Sequence, residues 1–223
     1  MKKILVLAVV FMAQISMAQV TKNLGDFDGL KVFDRINVEL IPSTENKIEI
    51  KGTRSSEVEV VNNNGELKVR MSLKKLLDGE EITAKLYFNK LESIDGSEGA
   101  YIICSEPFKQ TSIAVTAKEG AEINLKLEVE KAKIKSVTGG IIKISGSAKN
   151  QEASLGTGGI LEAMNLETSQ TTVTITTGGE ADVKATELVD AKVRAGGTIT
   201  VYGSPKQVNK KTVLGGTITE SKR

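Results

Sequence analysis

Three carboxylates and one amine come nearest to a catalytic set in this 223-residue chain: Glu162, Glu180, Asp182 and Lys143. Glu162 and Asp182 stand one period apart in the repeat described below, which would place them on adjacent coils about 5 Å apart. Retaining glycosidases hold their two carboxyl groups at about that separation. Yet a charged outer face is what any solenoid shows, and Lys143 suffices to neutralise its neighbours, so an enzyme is the least favoured reading. The chain has no histidine, which removes Ser-His-Asp and Cys-His catalysis and every histidine-containing zinc site. It has no tryptophan and only 4% aromatic residues, so stacking platforms for sugars or bases are scarce. Cys104, the single cysteine, cannot form an intrachain disulfide and reads as a small buried residue within Tyr101-Ile102-Ile103-Cys104. No catalytic, cofactor-binding or metal-binding residue is assigned, and no cofactor is expected.

What would position such side chains is a repeat. Gly-Gly pairs begin at Gly139, Gly158, Gly178, Gly196 and Gly215, and Gly-Ala pairs begin at Gly99 and Gly120. The intervals are 21, 19, 19, 20, 18 and 19 residues. Three residues after each first glycine stand Ile102, Ile123, Ile142, Leu161, Ala181, Ile199 and Ile218. Two residues further on, the series is again apolar from Cys104 and Leu125 to Val201, with Glu220 breaking it. The position between is mostly polar, as at Asn124, Lys143, Glu162, Asp182 and Thr200. Apolar, polar, apolar is the period of a half-buried strand. A second alternating stretch precedes each glycine, for example Ile134 with Ser136 and Val173 with Ile175. Each coil of about 19 residues should therefore hold two short strands with the glycines at one corner, where the chain reverses tightly. The expected fold is all-β, a parallel β-helix-like solenoid whose coils pair through ladder hydrogen bonds.

Its ends need protection. At the C-terminus the inward pattern lapses at Lys210 and Glu220, which predicts a charged blunt end. From about residue 25 to 95 the alternation continues without the glycine period, and irregular coils or hairpins are expected to close that end. Ile36, Val38 and Leu40 predict one strand; Ile48 and Ile50 another; Leu67, Val69 and Met71 a third, after the Asn62-Asn63-Asn64-Gly65 turn; and Ile82 to Phe88 a fourth. The segment Lys74 to Asp78 is too short to predict a helix.

Met1 to Ala18 has the form of a secretory leader, with Lys2 and Lys3, an apolar run from Ile4 to Ala13, and Ser16-Met17-Ala18 before the cleavage point. The expected mature protein is one solenoid domain, residues 19–223, exported to the periplasm, cell surface or medium, with no integral membrane segment after cleavage. Of 30 basic and 28 acidic residues two basic ones belong to the leader, which leaves a balance near zero. That balance predicts neither a nucleic-acid footprint nor a polybasic membrane patch.

The sequence resembles the head GIN domain family, a group of proposed auto-transporter adhesins. The resemblance rests on Gly25-Asp26-Phe27-Asp28-Gly29-Leu30-Lys31-Val32 followed by Ile36-Asn37-Val38-Glu39-Leu40, on the run of glycine turns, and on Val201-Tyr202-Gly203-Ser204-Pro205 before the last Gly-Gly. It implies a right-handed β-helix-like superhelix and a role in adhesion. The expected partner is a glycan or a surface protein. A rigid envelope spacer, or end-to-end assembly, is the alternative. Tyr101, Ile103, Ile141 and Ile160 point outward and, if exposed, would form one apolar contact patch; burial beneath the N-terminal strands is the favoured expectation.

Overall fold

A computed structural model describes residues 19–221, so the expected leader, residues 1–18, lies outside the described residues. Sixteen strands form one continuous hydrogen-bonded sheet wound around a single core, with one 3-10 turn at Ser55–Glu57 and no α-helix among the described residues. In chain order they are β1 Gln19–Asn23, β2 Gly29–Val32, β3 Asn37–Pro42, β4 Lys47–Lys51, β5 Val58–Asn63, β6 Glu66–Met71, β7 Thr83–Phe88 and β8 Ser93–Gly96. The long strands β9 Tyr101–Ala117, β10 Glu122–Val137, β11 Ile141–Gly156, β12 Gly159–Ile175 and β13 Gly179–Ala195 follow. The series closes with β14 Thr198–Tyr202, β15 Gln207–Leu214 and β16 Thr217–Glu220. The fold is the expected all-β parallel solenoid.

Each regular coil is one strand of 16 or 17 residues folded over on itself, and its two halves are the predicted pair of strands. On β10 the inward residues run Ile123, Leu125, Leu127 and Val129, then resume at Ala132 and Ile134. Glu130 and Lys131 between them both face solvent, so the alternation reverses there and the far half returns facing the first. Ladder pairing joins β9 to β10, β11, β12 and β13 in parallel, with like positions in register. The buried aliphatics consequently stack in columns and form one core along the axis.

The glycine corners make the opposite edge. At Thr138 and Gly139 successive residues take φ of 52° and 72°, a two-residue left-handed turn that reverses the chain. Gly140 answers a different need, because a Cβ there would lie 2.3 Å from the Ala117 carbonyl oxygen. Successive corners bond to one another: Gly99 N–H to Glu119 O, Gly120 N–H to Thr138 O, and Gly139 N–H to Thr157 O. The same ridge continues into the irregular region, where Arg35 N–H donates to Glu98 O and Gly79 N–H donates to Asp34 O. Asp34 and Arg35 make the corner between β2 and β3 with φ of 60° and 62° and no glycine.

The N-terminal strands extend the same two walls. β3 pairs with the start of β9 and with β7, while β2 pairs with β8 and β6. Hairpins finish that end: β4 runs antiparallel to β7, and β5 antiparallel to β6 through the predicted Asn64-Gly65 turn. The four strands expected there all form, as β3, β4, β6 and β7. At the other end β14 and β15 pair with the two halves of β13, and β16 pairs with β14.

Candidate functional site

The strand halves that follow the glycine corners present a broad outer face, and every sequence-predicted functional residue but Cys104 lies on it. One column reads Lys51, Thr83, Asn37, Tyr101, Glu122, Ile141, Ile160, Glu180 and Thr198 on successive strands. The neighbouring column reads Glu49, Lys85, Glu39, Ile103, Asn124, Lys143, Glu162, Asp182 and Thr200. Alternation puts them outside, because the residues between them fill the core.

Tyr101, Ile103, Ile141 and Ile160 are each half-buried by their neighbours on this face. The N-terminal strands do not cover them. β3 lies beside β9 in the same sheet, since its pairing partners are the edge positions Tyr101 to Ile103. Nor are the four side chains one patch: Glu122 separates Tyr101 from Ile141 in their column. Two apolar spots result, Ile141 with Ile160, and Tyr101 with Ile103. The second borders a hollow of about 180 Å³ lined also by Asn37, Val38, Ala84 and Lys85. Lys47 stands over the Tyr87 ring at 4.3 Å on the same side of the sheet.

The carboxylates sit at the other end of this face. Glu162 and Asp182 are direct ladder partners, and Lys143 is the ladder partner of Glu162 on the other side. The Lys143 ammonium turns to Glu122, 3.0 Å away. That hydrogen bond, with the charges of Glu122 and Glu162, raises its pKa above the ordinary lysine value. The adjoining hollow of about 360 Å³ is lined by Asn124, Ser145, Asn165 and Met164 and has no aromatic wall. Met164 is 44% exposed. It is thrust out by a bulge in β12 opposite Lys143 to Ser145, which sequence reading missed. The available signal was the interval of 20 residues after Gly158 where the two before it have 19. Among the described residues no group of three or more histidine, cysteine, aspartate or glutamate side chains could hold a metal ion.

Cys104 faces inward from the same strand half. Its thiol donates to Glu106 O at 3.3 Å, and burial pushes its pKa up to about 11, so it stays an inert thiol at neutral pH. Among the described residues no helix is long and apolar enough to cross a membrane.

The family model that matches this chain, over residues 26–205, is described as "Putative auto-transporter adhesin, head GIN domain". The fold is similar to that of a putative adhesin from Bacteroides fragilis NCTC 9343, with TM-score 0.85 and 19% identity over 93% of this chain and 98% of that one. A putative adhesin from Parabacteroides distasonis ATCC 8503 is also similar, with TM-score 0.73 and 20% identity over 92% and 97%. So is a structure from the same organism described as a putative lipid binding protein, with TM-score 0.70 and 15% identity over 92% and 96%. At these identities the likeness is one of fold. No curated protein matches the sequence.

Proposed function

The chain belongs to the head GIN domain family, and from that membership we propose that it is a non-catalytic adhesion or recognition module of the cell envelope. The observation that carries this reading is the outer face itself. Tyr101 and Ile103 meet a small hollow on a wide, rigid sheet, with Glu39, Lys51 and Lys85 around it. Apolar spots rimmed by charges are the usual anatomy of a contact surface. A glycan or a surface protein is the partner this anatomy suits. Hydrolysis by Glu162 and Asp182 is disfavoured because their hollow has no wall on which a sugar ring could stack.

The test is a glycan and matrix-protein binding array with the mature protein. A genuine ligand should lose roughly tenfold or more in affinity when Tyr101→Ala removes the ring. Binding that survives this substitution, together with Ile103→Ser, would place recognition elsewhere. Polysaccharide cleavage abolished by Glu162→Gln would replace the reading with an enzymatic one.

A further inference from the structure

The ridge of corners is built from tight turns except near its N-terminal end, and the longest departure lies there. Between β6 and β7, where a two-residue corner would join the walls, the chain makes an excursion over residues 72–81. Insertions at one position of a repeat array fall on a single face and are a common place for binding. Seven large apolar side chains are exposed among the described residues, and three of them lie here: Leu73 at 71%, Leu76 at 52% and Leu77 at 45%.

The loop is braced rather than loose. Asp34, buried beneath it, accepts from Leu77 N–H and Met71 N–H at 2.9 Å each, and its carbonyl accepts from Gly79 N–H at 3.0 Å. Lys75 N–H donates to Ser72 O, and Asp78 N–H to Lys75 O. Leu77 is held at φ 63°, a conformation that a leucine adopts only against strain. A strained leucine, fixed with its side chain in solvent, contributes nothing to the core.

The carboxylates of the loop have partners among the described residues, and its two lysines do not. Asp78 is paired to Arg54 at 2.7 Å and Glu80 to Arg35 at 2.8 Å, and Glu81 accepts from the Thr53 hydroxyl. Lys74 and Lys75 have no carboxylate within ion-pair distance among the described residues. Glu98 and Glu119 line the hollow shared with Leu76 and Leu77. The Ser97 hydroxyl donates to Glu119. Three leucines are too small an area for an ordinary protein interface, which takes about 800 Å² from each partner. A bilayer needs no complementary pocket.

We propose that residues 72–81 form a lipid-contacting tip: Leu73, Leu76 and Leu77 enter the interfacial layer of a bilayer, and Lys74 and Lys75 meet its anionic headgroups. Leucine insertion and lysine attraction are the two contributions that hold peripheral proteins on membranes. The tip adjoins the Tyr101 hollow, whose Asn37 donates to Glu80 O of the loop, but the two hollows share no lining residue, so substitutions can test either surface without removing the other.

Vesicle flotation of the mature protein tests it. Vesicles containing one-third phosphatidylglycerol should carry the protein, and vesicles of phosphatidylcholine alone should carry much less. The pair Leu73→Ser and Leu76→Ser should reduce the bound fraction roughly tenfold at any salt concentration. The pair Lys74→Gln and Lys75→Gln should reduce it roughly tenfold at low salt and abolish its salt dependence. Tyr101→Ala should leave flotation unchanged. All these side chains are exposed or half-buried on the surface, and unchanged melting curves would verify folding. Absence of flotation overturns the proposal, as does flotation indifferent to the leucines. A leucine-dependent dimer in sedimentation, without flotation, overturns it in favour of self-association.

Discussion

Single side chains do unequal work at the ridge. Asp34 stands at a corner that glycine serves elsewhere, and its carboxylate ties β6 and the following loop to the first coil. Glu98, one coil away, has its pKa raised above 4.5, first by burial and then by the charge of Asp34. A raised carboxyl pKa means that the folded state holds its proton more tightly than the unfolded chain. That contribution is complete below about pH 4.5 and is lost as pH rises through the folded-state value. Glu98→Gln should therefore raise the melting temperature at pH 7 and make little difference at pH 4. Equal shifts at both values would refute the coupling. None of this was legible in the sequence, because an Asp-Arg pair with positive φ carries no glycine to announce a corner. Cys104 was legible: an apolar alternation placed it inward, and there it is.

At the level of strands, the spacing of glycines proved more informative than their presence. The intervals that depart from 19 mark the places where the ladder slips. The coil of 21 carries the two extra residues Ser105 and Glu106, and the coil of 20 carries the bulge at Met164. The coil of 18 accounts for the mismatches between β12 and β13. Glycines away from the corners have a separate cause. A Cβ on Gly146 would lie 2.1 Å from the Leu127 carbonyl oxygen, and its φ is 103°. On Gly139 a Cβ would meet nothing within 4 Å, so only the left-handed φ of 72° opposes it. Gly146→Ala should cost about 3 kcal/mol, and Gly139→Ala about 1 kcal/mol. Denaturant melts would measure both, and an equal loss at the two sites would contradict the close-approach argument. The loop 72–81 escaped sequence reading because it has neither alternation nor the glycine period, and Leu73, Leu76 and Leu77 look like core residues until a partner is sought for them.

Across the whole molecule, a near-neutral charge balance is made of small local clusters of either sign. Glu162, Glu180 and Asp182 share the outer face described above, whereas Lys135, Lys192 and Lys211 lie in one column on the opposite wall. The predicted charged end takes a definite form. Lys210 and Glu220 occupy inward columns, below Ala191 and Val201, and close the open core with an ion pair of 2.6 Å. Docking another coil there would desolvate both charges at several kcal/mol each. This opposes end-to-end assembly, although Val213 and Leu214 nearby are exposed. Replacing both charges, Lys210→Leu with Glu220→Leu, should make the protein self-associate with rising concentration in sedimentation velocity while the parent stays a single species. Identical sedimentation of the two proteins would remove the charged pair as the cause. Because each coil touches little beyond its immediate neighbours, tandem duplication or loss of one 19-residue segment would leave every other winding undisturbed. Such a gene can lengthen or shorten its product in fixed steps, carrying the Tyr101 hollow nearer to or farther from the C-terminal tip without redesigning the interior.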